Sequence, residues 1–424
     1  MKVLVVGGGG REHALCWALK RSPNTRLVCA PGSDAIARLA ERRAVGVHEI
    51  DKLAELCDSE KPDLVVVGPE APLAAGLSDA LAARGHLVFG PSRQAAAIEC
   101  SKAFAKTFMA KHRIPTARFE TFSDLGDAEW FIDELFEKEK AAKVVLKASG
   151  LASGKGVLIC EQSQEAKAHA RAMLEGSVLG GAGKTLVIEE FLRGREATLM
   201  ALCDGERVLP LAACEDHKTI FDGDRGPMTG GMGVISPTPA LDDATCRRVY
   251  ETILLPTVRG LGAEGKPFRG LLYAGLMITA DGPQVIEFNC RFGDPEIQAL
   301  VRRLDDDLVE LLHASARGEL PSSVRFSDQT SVCVVMTAPG YPGETTTGQA
   351  ITGLDEASSL KSVEIFHAGT RFDGKSWRTH SGRVLGVTAV GKNLDEARQR
   401  TYAAVEKIHF DGAHYRHDIG GRAV

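Results

Sequence analysis

The sequence has no closely spaced cysteines and no long apolar run. Its ten cysteines are scattered from Cys16 to Cys333, and no two have the spacing of about two to four residues that zinc sites and redox motifs require. The thiols are therefore expected to be reduced and mostly buried. No apolar stretch approaches the roughly 18 residues needed to cross a bilayer, so we expect no membrane-spanning segment.

An excess of positive charge is also absent. The formal net charge is −5 at pH 7 and the pI is about 6.2. Nucleic acids and anionic membranes bind clustered positive charge, so we expect the chain to bind neither. A buried-strand pattern from Val3 to Val6 follows Lys2 directly, without the charged and apolar regions of a signal peptide. We predict a cytoplasmic protein whose partners are small molecules.

The 424 residues, 44% of them hydrophobic and 25% charged, are enough for about three globular domains. In the first 100 residues, short apolar runs alternate with helical patterns, which predicts a parallel sheet of βαβ units. The predicted strands are Val3–Val6, Leu27–Ala30, Leu64–Val67 and Leu87–Phe89. Ligands of such sheets bind beyond the carboxyl ends of the strands. The residues at those ends are Gly7–Gly10, Pro31–Ser33, Gly68–Ala71 and Gly90–Ser92.

Further along, the pattern changes to hairpins. Two short strands around a glycine-rich turn from Gly150 to Gly156 predict a hairpin, which belongs to a small α+β lobe from Phe119 to about Phe191. The predicted strands here are Lys143–Lys147, Val157–Cys160, Thr185–Phe191, Ala197–Cys203, Val208–Ala213, Leu271–Thr279 and Gln284–Asn289, and the predicted helices are Ser101–His112, Glu165–Leu174 and Pro295 to about Arg317. A last βα segment begins near Ser331.

Four consecutive glycines, Gly7 to Gly10, follow the first strand and open a helix. Their N–H groups and the helix N-terminus could bind a phosphate, or the glycines could simply allow a tight turn. A dinucleotide-binding motif fits poorly, because the third glycine position of that motif is Glu12. The second strand also ends at Pro31 without the acidic residue that binds a ribose.

A second glycine-rich segment runs from Lys147 to Gly156 and contains Gly154 and Lys155. It differs from a P-loop, because three residues separate Gly150 from Gly154 and because it joins two strands. Such a hairpin can still fold its amides over a triphosphate, with its lysines as point charges. The alternative is a flexible surface turn.

The third motif is the strand that carries Glu287, Asn289 and Arg291. Period-two alternation places these side chains on one face. Two oxygen donors at i and i+2 suit magnesium, which completes its shell with nucleotide phosphates and water. Arg291 could neutralise charge on a transferring phosphoryl group. A solvated strand face with a local Glu–Arg pair is the alternative.

The fourth motif is Asp216 to Lys218, followed by a glycine-rich stretch from Gly223 to Gly233. So much glycine excludes a packed helix and predicts a loop that approaches or covers a ligand. His217 could act as a general base, although a single histidine is more often structural. Lys218 is the stronger candidate, as a phosphate contact.

With these motifs the sequence resembles, essentially from end to end, the phosphoribosylamine–glycine ligases (glycinamide ribonucleotide synthetases) of the ATP-grasp superfamily. The matching segments are Gly9–Ala14, Val67–Leu73, Ser101–Phe104, Gly150–Val157, Val187–Leu192, Asp216–Lys218, Thr229–Gly233, Leu272–Gly275, Glu287–Glu296 and Phe366–Thr370. The resemblance implies an α/β ATP-grasp fold with a doubly wound parallel-sheet domain, a split ATP-binding core with a mobile α+β lobe, and a C-terminal α+β domain. We place these domains at residues 1–100, 101–325, with the lobe at about 119–192, and 326–424.

The resemblance also implies roles for individual residues. Residues expected to bind ATP are Lys102, Lys147, Gly154, Lys155 and Gly156 at the phosphates, Glu189 and Leu192 at the adenine, and Glu196 at the ribose. Glu287 and Asn289 are expected to bind Mg²⁺ or Mn²⁺. Residues expected to bind the other substrates are Gly9, Gly10, Arg11, Glu12, Pro31, Gly32, Gly68, Pro69, Glu70, Gly230, Gly231, Met232 and Asp294. Catalytic roles are expected for Lys147, Asp216, Lys218 and Arg291.

The implied reaction joins glycine to 5-phosphoribosylamine through a glycyl phosphate, giving glycinamide ribonucleotide, ADP and phosphate in purine biosynthesis. We expect a monomer or weak dimer. Alternatives are an ATP-grasp paralogue with another acid or amine, a dinucleotide-dependent oxidoreductase and a non-catalytic nucleotide sensor. An oxidoreductase would bind NAD(P) tightly without hydrolysing ATP, and a sensor would not need both metal ligands and the hairpin lysines, all of which are present.

Some positions depart from the pattern that the family usually shows. Met228 stands where asparagine is usual, and Ser381 stands where glycine is usual. After Pro31 and Gly32, Ser33 replaces the usual asparagine and is followed by Asp34. The change at Met228 removes a hydrogen-bond donor and acceptor near the expected substrate loop, so it bears on the identity of the amine.

Met228→Asn restores the usual residue and should be tolerated, with turnover close to that of the parent protein. Steady-state rates with glycine and phosphoribosylamine check this. A large loss of turnover would show that the methionine is matched to a different substrate.

Overall fold

The computed structural model describes residues 1–138, 141–150, 156–176 and 185–421. Its N-terminal part is a parallel sheet with strand order β3-β2-β1-β4-β5, as predicted from the alternating pattern. The strands are β1 (Lys2–Gly7), β2 (Arg26–Pro31), β3 (Glu41–Arg42), β4 (Leu64–Val67) and β5 (Val88–Phe89), and the helices are α1 (Gly10–Lys20), α2 (Ile50–Glu60), α3 (Glu70–Ala75), α4 (Leu77–Ala83) and α5 (Arg93–Cys100). Strand β3 was not predicted, because it has only two residues, both exposed.

The next part is an α+β lobe, which follows helix α6 (Lys102–Lys111). Its antiparallel sheet has the order β6-β9-β7-β8. The elements are β6 (Phe119–Phe122), α7 (Leu125–Asp133) with a π-helical extension (Glu134–Lys138), β7 (Val144–Ala148), β8 (Val157–Cys160), α8 (Ser163–Glu175) and β9 (Leu186–Glu190). Helices α7 and α8 cover one face of this sheet with a small core of their own, which includes Phe131, Ile132, Leu146 and Ile188. The predicted hairpin is present, although residues 151–155 lie outside the described part of the chain.

The central part contains a second antiparallel sheet, of order β11-β10-β16-β17. The elements of this part are β10 (Arg195–Asp204), β11 (Val208–Pro210), β12 (Glu215–Asp216), β13 (Thr219–Phe221), β14 (Arg225–Met228), β15 (Gly233–Ser236), α9 (Asp243–Val249), a π-helical turn (Tyr250–Leu254), α10 (Leu255–Ala263), β16 (Arg269–Thr279), β17 (Gly282–Asn289), α11 (Glu296–Leu300) and α12 (Leu308–Arg317). One continuous core joins this sheet to the N-terminal sheet, through residues such as Val65, Phe108, Phe268 and Phe288.

Two expectations for the central part were wrong. The helix predicted from Pro295 to about Arg317 is two helices, because Asp307 caps a new helix by accepting hydrogen bonds from the N–H groups of Val309 and Glu310. The glycine-rich stretch from Gly223 to Gly233, predicted as a loop, contains strand β14, which forms a hairpin with β13 by pairing Thr219 with Met228. Glycine is needed there because Gly226 has φ +83 and a Cβ would lie 2.5 Å from the Phe221 ring.

The C-terminal part completes a third sheet, of order β12-β15-β18-β23-β20. Its elements are β18 (Thr330–Thr337), β19 (Ala350–Ile351), α13 (Leu354–Ser358), β20 (Val363–His367), β21 (Thr370–Phe372), β22 (Trp377–Thr379), β23 (Arg383–Gly391) and α14 (Leu394–Val405). Strands β12 and β15 come from the central part of the sequence, so this sheet contains strands from both sides of residue 325. No helix within the described residues is long and apolar enough to cross a membrane.

The tail after α14 fastens the hairpin β13–β14 to the C-terminal part. Arg416 is fully buried and its guanidinium lies 3.0 Å from Asp224 and 2.7 Å from Asp418. It also donates a hydrogen bond to the carbonyl oxygen of Thr219. A buried guanidinium needs such partners because its charge is removed from water.

Two buried histidines join the N-terminal and C-terminal parts. His13 on α1 accepts a hydrogen bond at Nδ1 from the backbone N–H of His367. Burial, with a smaller effect of Arg38, lowers the pKa of His13 to about 4. Burial, with smaller effects of His13 and Arg38, lowers the pKa of His367 to about 3. Both rings are therefore neutral in the folded protein near pH 7.

Acidification should weaken this contact. The unfolded chain binds the proton with the ordinary histidine pKa of 6.5. The contribution of neutral His13 to the free energy of unfolding is therefore fully present above that pH and is lost as the pH falls from 6.5 to 4. From pH 7 to 5, His13 alone should lower the free energy of unfolding by about 2 kcal/mol. His13→Asn keeps an acceptor in place of Nδ1 but does not titrate. Its free energy of unfolding, measured by urea denaturation, should therefore fall by about 2 kcal/mol less than that of the parent protein between pH 7 and 5. The matched control His48→Asn, at an exposed residue, should behave like the parent protein; equal pH dependence in all three would contradict the interpretation.

Candidate active site

A cavity of about 540 Å³ lies where the N-terminal sheet, the lobe, the central sheet and the C-terminal part meet. Its apolar wall includes Ile98, Met109, Val157 and Phe288. The charged side chains that line it are Arg11, Lys102, Lys106, Lys147, Lys218, Arg291 and Arg383, and Glu70, Glu99, Glu189, Asp216, Glu287, Asp294 and Glu296. Cations and carboxylates are thus equal in number among the described lining residues, so the charges can be buried only as a mutually neutralising set.

The strand β17 brings Glu287 and Asn289 to this cavity, as the alternation predicted. Lys218 Nζ lies 3.8 Å from Glu287 Oε1. Burial alone would raise the pKa of Glu287, but Lys218, Lys147 and Lys102 together hold it below its usual value. The carboxylate is therefore ionised and ready to bind a cation.

Arg291 is held in place by two glutamates. Its Nε lies 3.4 Å from Glu70 Oε2 and 3.5 Å from Glu99 Oε1, and one NH₂ group donates to Asn289 Oδ1 at 3.3 Å. Burial would lower the pKa of Arg291, yet Glu99 and Glu70 raise it above its usual value. Arg291 therefore remains a fixed positive charge beside the two oxygen donors.

At the other end, Glu189 joins two lysines. Lys106 Nζ lies 2.9 Å from Glu189 Oε2 and Lys147 Nζ lies 2.9 Å from Glu189 Oε1, and all three side chains are buried. Lys147 also donates to the carbonyl oxygen of Ile286 at 3.0 Å. Burial lowers the pKa of Lys106 to about 8. The side chain of Glu189 thus binds lysines, so any contact of this residue with adenine would use its backbone.

The N-terminal glycine loop is filled by its own glutamate. Glu12 Oε2 accepts hydrogen bonds from the N–H groups of Gly8 at 3.1 Å and Gly9 at 2.7 Å, and Arg11 Nε lies 2.6 Å from Glu12 Oε1. A Cβ at Gly68 would lie 2.2 Å from this carboxylate, which explains a glycine there. In this conformation the two amides are therefore not available to a phosphate.

The predicted residues fall into three groups. Those that line the cavity are Arg11, Glu70, Lys102, Lys147, Gly156, Glu189, Asp216, Lys218, Gly230, Glu287, Asn289, Arg291 and Asp294. Those placed elsewhere are Gly9, Gly10, Glu12, Pro31, Gly32, Gly68, Pro69, Leu192, Glu196, Gly231 and Met232; of these, Glu196 lines a small pocket that shares Asp216, Lys218 and Glu287 with the main cavity. Gly154 and Lys155 lie outside the described residues.

Several cavity residues were missed by the sequence analysis. Lys106 lies one helical turn after Lys102 on α6, a spacing that could have revealed it. Arg383 donates to the carbonyl oxygen of Asp294 at 2.6 Å, across a sequence separation of 89 residues. Glu99 accepts a hydrogen bond from the N–H of Cys290 at 2.6 Å. Contacts over such separations leave no periodic signal in the sequence.

The described residues offer few metal ligands elsewhere. Cys160 on β8 and Glu165 and His169 on α8 have potential ligand atoms within 4.8 Å of one another. In the cavity, Glu287 and Asn289 supply two hard oxygen donors among cations that suit phosphates. That donor set fits a divalent ion whose shell is completed by a nucleotide.

The antiparallel lobe above a central antiparallel sheet, with a cavity lined by many charged side chains between them, defines an ATP-grasp enzyme, a class that uses ATP and typically a divalent metal ion. Three family models match: the N domain of phosphoribosylglycinamide synthetase over residues 1–99, its ATP-grasp (A) domain over 100–297 and its C domain over 331–422. The chain belongs to the phosphoribosylglycinamide synthetase family.

Relatives of known name cover the whole chain. A phosphoribosylamine–glycine ligase of Escherichia coli O6:H1 is 47% identical, covering 100% of this chain and 99% of its own length, and that of Caulobacter vibrioides is also 47% identical with the same coverage. The crystal structure of phosphoribosylamine–glycine ligase from Thermotoga maritima is 33% identical with a TM-score of 0.85, covering 99% of this chain and 100% of that one. A biotin carboxylase domain from Hydrogenobacter thermophilus, at 18% identity and a TM-score of 0.74, covering 97% of this chain and 91% of that one, shares the fold.

Glu189→Gln should destabilise the protein by about 3 kcal/mol, because two buried lysines lose their counter-ion. Added ATP with magnesium would supply negative charge to the same lysines, so it should raise the melting temperature of this variant more than that of the parent protein. Thermal unfolding with and without nucleotide measures both effects. The neighbouring Glu190→Gln, at an exposed residue, is the matched control. Equal stability of the two variants would contradict the role of Glu189.

Proposed function

We propose that this chain is a phosphoribosylamine–glycine ligase, which joins glycine to 5-phosphoribosylamine and forms glycinamide ribonucleotide, ADP and phosphate in purine biosynthesis. The observation that carries the proposal is the arrangement of Glu287 and Asn289 among Lys102, Lys147 and Lys218 in one cavity. The end-to-end similarity to ligases of this name supports it. We place the reaction in the cytoplasm, in a monomer or weak dimer with domains at residues 1–100, 101–325 and 326–424.

Glu287 and Asn289 would hold Mg²⁺ or Mn²⁺, and Lys102 and Lys147 would bind the phosphates of ATP. The metal ion supplies charge neutralisation to the phosphates when it is bound. In the first step a glycine carboxylate oxygen attacks the γ-phosphorus and ADP leaves. In the second step the ribosylamine nitrogen attacks the carbonyl carbon of glycyl phosphate, phosphate leaves and the nitrogen loses a proton.

The chain contributes position, charge and exclusion of water. Arg291, fixed between Glu70 and Glu99, would stabilise negative charge on the transferring phosphoryl group. Lys218, between β12 and β13 and 3.8 Å from Glu287, would do so as well. The side chains of Lys218 and Glu287 are 26% and 36% exposed, so bound nucleotide and substrates would have to fill the cavity to exclude water from a labile acyl phosphate, which would otherwise be hydrolysed. Arg11 and Glu70 line the part of the cavity next to the N-terminal sheet, where we place the sugar phosphate.

A paralogous ligase with another amine is the second candidate. Met228 lines the cavity and its side chain is 43% exposed. The residue that departs from the family pattern is therefore in a position to contact a substrate.

The decisive measurement is ADP release with glycine and freshly generated phosphoribosylamine, with each omitted in turn. We expect full turnover only when both are present. ADP release that depends on neither would refute the reaction, and release with glycine but with a different amine would favour the paralogue.

Glu287→Gln should abolish turnover, a loss of at least about 10³-fold, because the anionic metal ligand is replaced by a neutral amide. The melting temperature without ligands should remain close to that of the parent protein. Glu310→Gln, at an exposed residue of α12, is the control and should retain full activity. Near-normal turnover of Glu287→Gln would show that Glu287 is not a metal ligand.

A further inference from the structure

A second group of potential metal ligands lies in the lobe, on residues that do not line the cavity. Cys160 ends strand β8, and Glu165 and His169 lie one turn apart on helix α8. Their potential ligand atoms, one from each side chain, all lie within 4.8 Å of one another. The group contains only one cysteine, so the spacing of cysteines in the sequence does not reveal it.

The packing of α8 on the lobe sheet brings these side chains together. Ala166 and Ala170 are fully buried in the same core cluster as Cys160, and such small side chains let the helix lie close to the sheet. Glu165 and His169 each precede one of these alanines, and their side chains are 46% and 41% exposed, whereas Cys160 is fully buried. The thiol thus forms the buried side of the group, and the carboxylate and imidazole form the side that is open to solvent.

The carboxylate of Glu165 is already held in place. Its Oε2 accepts a hydrogen bond from the backbone N–H of Glu161 at 3.2 Å, and its Oε1 lies 4.0 Å from His169 Nε2. That separation is too long for a hydrogen bond, but it is close to the roughly 3.3 to 3.6 Å between two ligands of one tetrahedral zinc ion, whose bonds are about 2.0 to 2.3 Å long. No lysine or arginine among the described residues forms an ion pair with Glu165. A shift of about 1 Å by the half-exposed His169 side chain would bring the three donors to bonding distance of one ion.

The three donors indicate which ion would fit. Zinc prefers thiolate and imidazole ligands, whereas magnesium prefers oxygen donors such as those of Glu287 and Asn289 in the cavity. A thiolate and a carboxylate together carry two negative charges, so a zinc ion makes the group neutral, as a partly buried place requires. Burial, with a smaller effect of Glu165, raises the pKa of the Cys160 thiol to about 11. The thiol is therefore protonated without a metal ion, and zinc would displace its proton.

We propose that Cys160, Glu165 and His169 bind a zinc ion, with water as the fourth ligand, and that this ion joins β8 to α8. The ion stabilises the lobe, whose own core is small. It also fixes the strand that follows the glycine-rich hairpin. The site does not depend on the proposed function, so its failure would leave the assigned reaction unchanged.

Cobalt(II) is the probe for this site, because it can replace zinc and its bond to a thiolate gives an absorption band in the near ultraviolet. The full-length protein, freed of metal by a chelator and kept reduced, should show this band with one equivalent of cobalt(II). Zinc should remove the band, and a large excess of magnesium should not. Absence of a thiolate band in the parent protein would overturn the proposal.

Variants show whether all three residues bind the ion. Cys160→Ser should lose the thiolate band, and Glu165→Gln and His169→Gln should each weaken cobalt binding at least about tenfold, since even the loss of a residue that supports a metal ligand has such an effect. Two control variants should keep the full band: Cys246→Ser, at a partly buried cysteine outside the lobe, and Glu175→Gln, at an exposed residue of α8. Unchanged cobalt binding in both Glu165→Gln and His169→Gln would overturn the proposal, because the thiol would then bind cobalt without them.

A stability measurement tests the join between β8 and α8. Zinc at about 100 times its Kd should raise the melting temperature of the parent protein by at least about 2 °C, and it should not do so for His169→Gln. This substitution is at a half-exposed side chain, so it keeps the test open should Cys160→Ser fail to fold. An equal rise in the parent protein and in His169→Gln would contradict the site.

The cavity is the competing place for the ion. Glu287→Gln, which removes the anionic oxygen donor of the cavity, should keep the cobalt band and respond to zinc like the parent protein. Loss of the zinc response in Glu287→Gln would show that zinc binds in the cavity and would overturn the proposal.

Discussion

The mutual neutralisation of buried charges in one cavity is the constraint on which this structure depends. Glu189 lies between Lys106 and Lys147, Arg291 lies between Glu70 and Glu99, and Glu287 lies among three lysines. Each charge would be costly alone in a buried place. The sheets and helices that carry these side chains must therefore meet in one arrangement, because a shift of any one would leave a buried charge without its partner.

The same arrangement prepares the site for its ligands. In the proposed reaction, a triphosphate would bring negative charge to the lysines and would let Glu287 bind a cation in place of Lys218. The residues that neutralise one another in the free protein are thus the ones that we propose contact the ligands.

The local parts of the structure could be predicted from the sequence. The N-terminal strands, the lobe hairpin and the placement of Glu287 and Asn289 follow from apolar runs and period-two alternation, which are local properties. Arg291 lines the same cavity although β17 ends at Asn289. The break between α11 and α12 was not predicted, because the cap at Asp307 interrupts an otherwise helical pattern. The hairpin β13–β14 was missed because its glycines resemble those of an irregular loop. Lys106, Glu99 and Arg383 enter the cavity through tertiary contacts, which no local pattern specifies.

The third sheet also determines when the cavity can form during synthesis. Strand β12, which carries Asp216, pairs with β15, β15 pairs with β18, and β18 pairs with β23, so the sheet that supports this segment is complete only when the C-terminal part has been made. Arg416 then fixes the hairpin next to that segment. On the ribosome, the N-terminal sheet and the lobe can fold early, whereas this wall of the cavity must wait for the last strands to emerge. A shortened chain would therefore keep much of its fold but not its complete cavity.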